Sequence, residues 1–248
     1  MTDTAIPAAT IVVMRERANA YPELLTVTRG RTMAFAGGAL AFPGGRLDKA
    51  DRELARDFND PHAAWKLAAI RETIEETAVP VALDPLPSAQ LAAEMQRRLH
   101  QSADFAVLLG EYALSPRLEV LTPFTRWKPA FAHARIFDTI FFIAAASEGE
   151  WHPIPQPGEC ESAEWASATD LLERIEMGAA HAIFPTKRNL ERLARFQSID
   201  EARADAAAYP LDTITPWVEE VAGEQQVRIP EGRGYPVTSE PLATAFRA

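Results

Sequence analysis

Three glutamates and an arginine within six residues could hold a hard metal ion and the phosphates that such an ion binds. In the segment RETIEE, Arg71 precedes Glu72, Glu75 and Glu76. The three acids stand at i, i+3 and i+4, so on a helix their carboxylates share one face within a single turn. Carboxylates at i,i+4 repel by roughly 0.2–0.5 kcal/mol per pair, and near a helix C-terminus the macrodipole also disfavours them. Such a cluster is either a solvated acidic face or a place that holds a cation. Mg2+ is a hard ion that takes oxygen ligands, commonly one or two carboxylates together with substrate phosphates and water. Arg71 can pair with one carboxylate and fix its rotamer. Upstream, Phe42-Pro43-Gly44-Gly45 brings a glycine backbone out of a strand, where a carbonyl can join carboxylates around a metal.

The elements that must position these residues read as a mixture of strands and helices. Residues 9–15 (ATIVVMR) and 23–28 (ELLTVT) are β-rich around a polar turn, and residues 37–42 (GGALAF) make a third short strand. Residues 61–77 form the strongest helix, with Pro61 in its first turn and Leu67, Ala68, Ile70 and Ile74 at helical spacing. Residues 88–101 and 104–114 read as a helical pair, and residues 118–126 and 138–146 as strands. A short strand at 162–166 leads into a helix at 168–177, and Pro185 opens another over 186–196. Residues 198–248, rich in Ala, Pro and Gly, read as a tail packed on the surface or partly mobile. This order makes the fold class α/β (α+β).

Composition excludes several function classes. Of 248 residues 47% are hydrophobic, enough to bury a core, and the net charge is −10. A chain this acidic has no general attraction for a nucleic acid polymer or an anionic membrane. No apolar run approaches the ~20 residues that span a bilayer, and the N-terminus lacks the pattern of a signal peptide, so a cytoplasmic location is expected. A lone cysteine, Cys160, excludes an internal disulfide framework, and no basic neighbour marks it as a nucleophile. The five histidines have no mutual ligand spacing, so each reads as a surface or core residue rather than a zinc ligand.

With these residues in view, the sequence resembles the Nudix hydrolases. Their signature runs glycine, five residues, an acid, seven residues, then Arg-Glu-aliphatic-x-Glu-Glu-x-Gly-aliphatic. Here Gly45 and Asp51 match the first half and residues 71–79 (RETIEETAV) the second. Asp51 stands for the usual Glu, Thr73 for an aliphatic residue and Ala78 for the last glycine, and nineteen residues separate Asp51 from Arg71. Such a lengthened loop leaves the carboxylate helix intact, which places more weight on the glutamates than on Asp51. The upstream segment, the helical insertion and Arg135-x-Phe137-Asp138-Thr139 resemble the coenzyme A diphosphatase-like branch related to the peroxisomal enzymes. Its coenzyme A motif is matched in part, with Thr28 where an arginine is expected and Arg29 adjacent.

The resemblance implies an α/β/α sandwich with a mixed sheet. It would span residues 1–197, with a helical insertion at about 84–115 and a C-terminal extension over 198–248. It further implies Glu72, Glu75, Glu76 and the Gly44 carbonyl as ligands of Mg2+ or Mn2+. Glu72 is alternatively the base that orients the attacking water, and Arg71 holds the glutamates. The family often places a late carboxylate near Glu159 and Glu161, as an extra metal ligand or a catalytic base; if Trp165 points to the core, alternation sets Glu161 at the mouth of that face, the alternative being an ordinary loop acid. Arg29 and Arg135 are candidate substrate contacts, Arg135 alternatively pairing with Asp138. The expected activity is hydrolysis of the diphosphate bond of a nucleoside diphosphate linked to another moiety, coenzyme A or an acyl derivative being the leading guess. Two alternatives stand beside it: a Nudix-fold nucleotide sensor with little turnover, and a helical-bundle interaction protein. The segment RIPEGRGY at 228–235 is free to close over phosphates or to cap a partner subunit, which leaves a homodimer open.

Overall fold

The computed structural model describes residues 5–33, 36–129 and 136–245. In chain order β1 (Ile6–Arg17) and β2 (Ala20–Arg29) form a hairpin, followed by β3 (Leu40–Ala41) and β4 (Gly44–Arg46). A short helix α1 (Lys49–Leu54) and a single 3-10 turn lead to α2 (Ala63–Thr77), which carries the RETIEE segment. Next come β5 (Leu83–Asp84), the helices α3 (Ala89–His100) and α4 (Phe105–Glu111), and β6 (Ser115–Pro116). β5 pairs antiparallel with β6, closing the base of the helical pair. The strands β7 (Thr122–Trp127), β8 (Phe137–Ala145) and β9 (Cys160–Ser167) follow, then α5 (Ala168–Glu176) and α6 (Phe184–Leu193). The last segment supplies α7 (Ile199–Ala208), β10 (Thr213–Ile214), β11 (Trp217–Val221), β12 (Glu224–Arg228), β13 (Ser239–Pro241) and α8 (Leu242–Ala245).

One mixed sheet organises the molecule, in the order β10-β7-β8-β1-β2-β3, with β4 also on β1 and β9 also on β2. β1 and β8 run parallel over nine residue pairs, and β1, β2 and β9 pair antiparallel. Because successive side chains point to opposite faces of a strand, each central strand feeds two cores. Ala9, Ile11 and Val13 of β1, with Ile140 and Phe142 of β8, pack under α2 and the α3–α4 pair. Val12 and Met14, with Phe141 and Ile143, pack under α5, α6 and the C-terminal elements. The sheet is therefore covered by helices on both faces, which removes the helical-bundle reading.

Residues 198–245 are not a loose tail. Ile199, Ala202 and Ala206 of α7, Ile214 of β10, and Val227, Ile229 and Tyr235 are buried in the second core. β10 extends the main sheet parallel to β7. Arg192 of α6, buried, lies 4.4 Å from the ring centre of Phe124, 5.1 Å from Tyr209 and 5.3 Å from Tyr235, and its Nε donates to Asp205 at 2.7 Å. A Cβ at Gly234 would stand 2.7 Å from that guanidinium. Trp127 Nε1 donates to Tyr235 Oη at 2.9 Å, and that hydroxyl donates to Asn189 Oδ1 at 2.8 Å. These side chains are rich in Arg, Asp and Tyr and sit far apart in sequence, which is why no periodic apolar pattern announced them.

The Tyr235 hydroxyl thus satisfies two buried polar groups, and removing it strands both. Tyr235→Phe is expected to cost about 1–3 kcal/mol of stability. Urea unfolding followed by tryptophan fluorescence and by circular dichroism checks it, and the two probes should give one coincident transition. A wild-type midpoint, or two separate transitions, would show that the C-terminal elements are not part of the cooperative unit.

Candidate metal and catalytic site

The last two turns of α2 face a cleft of about 1360 Å3. Why the helix stands here is local chemistry. Thr73, at the position where the resemblance calls for an aliphatic residue, is fully buried because its hydroxyl donates to the Ala69 carbonyl at 2.7 Å. The helix ends at Ala78, whose φ of +55° is the left-handed conformation in which a glycine costs nothing. β4 lies against the same helix turn. A Cβ at Gly44 would meet the Ala9 carbonyl oxygen at 2.3 Å, and one at Gly45 would meet Glu72 Cδ at 2.4 Å. Both glycines are therefore required for the backbone to come this close to β1 and to the carboxylates.

Arg71 is the hub. Its Nε and Nη2 donate to the two oxygens of Asp51 at 3.1 and 2.9 Å, Nη2 also donates to the Arg46 carbonyl at 3.2 Å, and Nη1 reaches Glu72 at 2.9 Å and Glu75 at 3.3 Å. Burial alone would lower the basicity of Arg71; the Asp51 hydrogen bonds and the surrounding acids more than reverse that and keep it protonated. Asp51, 1% exposed, is itself fixed by the Asp48 N–H at 2.8 Å in the capping box of α1. Asp51 is thus more central than its sequence weight suggested. The extended spacer folds into α1 and a 3-10 turn that lie back on α2, so distance along the chain does not become distance in space.

Glu76 accepts a hydrogen bond from the Gly44 N–H at 3.0 Å. Burial, reinforced by the neighbouring Glu72, pushes its carboxyl up to about 8. Burial likewise raises Glu72 to about 7, with Arg71 opposing and Glu75 adding to the shift, and it raises Glu75 too. Three acids whose charged forms are this unfavourable, beside one guanidinium already shared, are a donor set short of positive charge. All-oxygen donors of this kind fit a hard divalent cation, so Glu72, Glu75 and Glu76 could hold one. Cys160, buried nearby and facing Glu76, is held as a thiol, up to about 12.

The other sequence candidates fall out unevenly. Arg29, at the end of β2, lines the cleft and lies close enough to Glu76 to favour its charged form. Glu161 does not join the carboxylates. The β2–β9 register slips by one residue between Thr28–Ser162 and Arg29–Cys160, leaving Glu161 without a partner on β2. The alternation from Trp165 breaks there, and Glu161 instead accepts from the Arg31 N–H at 3.2 Å and pairs with its Nε at 3.4 Å. Glu159 is the late acid that lines the cleft and opposes the charge of Glu75 and Glu76. Asp138 pairs bidentately with Arg126, at 2.8 and 2.7 Å; Arg135 lies outside the described residues, as do Phe131 and His133.

Apolar side chains share the lining of this cleft with the acids: Leu40, Phe42, Trp127, Phe137, Phe141 and Phe184, with Ala245 of α8. Only the strand register decides which aromatics reach the cleft, so this lining leaves no local signal in the sequence.

The chain matches no protein-family model and no curated protein. It does match solved structures. The crystal structure of a Nudix hydrolase from Alicyclobacillus acidocaldarius is similar with a TM-score of 0.72 at 28% identity, over 82% of this chain and 97% of that one. More distant likenesses include the Nudix domain of Shewanella oneidensis NrtR in complex with ADP ribose (TM-score 0.46, 14% identity, 77% and 87% of the two chains). The MutT protein of Methanosarcina mazei Go1 stands similarly far (TM-score 0.45, 13% identity, 79% and 96%). The fold is the Nudix hydrolase fold. Among the described residues no helix is long and apolar enough to cross a membrane.

The raised acids make a prediction with a definite sign. Glu72 and Glu76 keep their protons in the folded chain to about pH 7 and 8, whereas an unfolded glutamate releases its proton near 4.5. The folded state therefore binds more protons across that window, and stability falls as pH rises through it. Without divalent cations the melting temperature should drop between about pH 5 and about pH 8. Glu76→Gln should melt several degrees higher than wild type at pH 8, where 1 kcal/mol is roughly 2–4 °C for a chain of this size. Melting curves in chelator check this; a flat wild-type profile would contradict the site.

Proposed function

We propose that the chain is a metal-dependent pyrophosphohydrolase of the Nudix type, acting on a nucleoside diphosphate linked to another moiety. The observation that carries this reading is the Glu72–Glu75–Glu76 turn, buried at Glu76 and half-buried at the other two, held by Arg71 and Asp51 against a glycine strand in a cleft that apolar side chains also line. Glu75, Glu76, Glu72 and the Gly44 carbonyl would hold the cofactor, Mg2+ or Mn2+. Bound there, the ion supplies neutralisation of the phosphate oxygens and of the leaving group.

The remaining work belongs to the chain. Water attacks one phosphorus of the diphosphate, the bridging P–O bond breaks, and the products are two phosphate monoesters, the water's protons passing to the leaving oxygen and to solvent. Glu72 orients that water or adds a further ligand, and Arg71 fixes the rotamers of Glu72 and Glu75. Arg29 meets the substrate's phosphates from β2, and Arg135 is assigned to the same task. Of the late acids, Glu159 takes the role expected near β9, while Glu161 holds Arg31 at the rim. The apolar wall accepts the non-phosphate part of the substrate, which keeps coenzyme A and its acyl derivatives as the leading candidates: a long ligand with a phosphorylated end and an apolar one suits a cleft built this way.

Turnover measured by mass spectrometry across coenzyme A, acyl-coenzyme A, NADH, ADP-ribose, nucleoside triphosphates and capped dinucleotides tests the proposal, with Mg2+ and with Mn2+. One diphosphate is expected to be cleaved, with Glu75→Gln and Glu76→Gln each losing more than about 100-fold, roughly 2.7 kcal/mol of barrier. Binding without turnover on every substrate would leave a nucleotide sensor in its place.

A further inference from the structure

His100 and Glu159 come from separate elements and converge on Glu75 at the edge of the carboxylate helix. One ligand atom of each of the three lies within 4.8 Å of the other two, and His100 Nδ1 stands 3.9 Å from Glu159. The elements that deliver them are tied together by hydrogen bonds. The Ile154 and Gln156 N–H groups donate to the Thr77 and Glu76 carbonyls at 2.7 and 3.0 Å, fastening the loop before β9 to the end of α2. On α3, the buried Gln96 side chain donates to the Ile154 carbonyl at 2.7 Å. Gln96 and His100 are four residues apart, so the anchored face of α3 is the face that carries the histidine. Glu159 is pinned in turn, its carbonyl accepting from the Gly30 N–H at 2.7 Å.

Two carboxylates and an imidazole from three mutually fastened elements make a donor set unlike the all-oxygen set beside it. Carboxylate sites suit Mg2+ and Mn2+, whereas an imidazole nitrogen raises affinity for the later divalent ions such as Co2+ and Zn2+. We propose that Glu75, His100 and Glu159 form a second divalent-metal site, in which the helical insertion contributes the nitrogen ligand. The site shares Glu75 with the metal-dependent reading above and rests on it to that extent. It gives α3 a chemical task besides shaping the cleft: placing His100 sets which ions the edge of the site prefers.

Metal binding by the full chain, rather than activity, tests it. Mn2+ bound to the wild type should show electron spin-echo modulation from an imidazole nitrogen, lost in His100→Asn. Co2+ binding should weaken by about tenfold, roughly 1.4 kcal/mol, in His100→Asn and in Glu159→Gln, while in His100→Asn Mg2+ binding changes by less than about twofold. His100 is partly exposed on the last turn of α3, and melting curves of both variants check that the fold is kept. Bound Mn2+ without nitrogen modulation, or modulation unchanged in His100→Asn, overturns the second site. That outcome leaves the hydrolase reading standing if some diphosphate is turned over. Nitrogen-coupled Mn2+ with no turnover of any diphosphate sinks the hydrolase reading and keeps this site.

Discussion

A single guanidinium keeps the functional end of the molecule together. Arg71 is nearly buried and touches Asp51, Glu72, Glu75 and the Arg46 carbonyl, so α1, α2 and β4 all meet on one side chain. Removing one partner of a buried ion pair leaves the other charge uncompensated, at about 3–5 kcal/mol. The arrangement differs from an ordinary buried pair because the charges do not balance. Acids outnumber the cation, and burial, reinforced by the neighbouring acids, raises Glu72 and Glu76. A core built only for stability would place apolar side chains there; the imbalance suits the doubly charged ion proposed for this turn of α2.

Much of this was legible in the residues because it is local. The i, i+3, i+4 spacing fixes which acids share a helix face, and the Gly44-Gly45 pair marks a close backbone approach, which the Ala9 and Glu72 contacts explain atom by atom. The strand alternation of β1 and β8 was legible as apolar runs, since both faces are covered. What was not legible depends on pairing between distant segments. Asp51 looked peripheral because nineteen residues intervene before Arg71, yet those residues fold into α1 and a turn that return it. Glu161 looked inward because alternation assumes an unbroken ladder, and a one-residue slip beside Arg29 turns it out to Arg31. His100 has no histidine partner at ligand spacing, and its neighbours come from other elements.

The C-terminal elements show the same limit in a different form. Their contribution is made by Arg192 among three rings and by the Trp127–Tyr235–Asn189 chain, and neither leaves a periodic signature in sequence. These polar contacts are specific where apolar ones are permissive, since each hydroxyl or guanidinium has one satisfactory geometry in a dry interior. They hold Trp127 in the lining of the cleft, to which Ala245 of α8 also contributes, so the lining is drawn from nearly the whole length of the sequence.

That spread sets the order in which the lining is made during synthesis. The glycine strand, α1 and the carboxylate helix leave the ribosome early, together with Leu40 and Phe42. Trp127 emerges next, ahead of the tyrosine whose hydroxyl it meets, and Glu159, Phe184 and Ala245 follow in turn. A nascent chain therefore carries its three helix acids well before the lining they share is complete, and completion waits for Ala245.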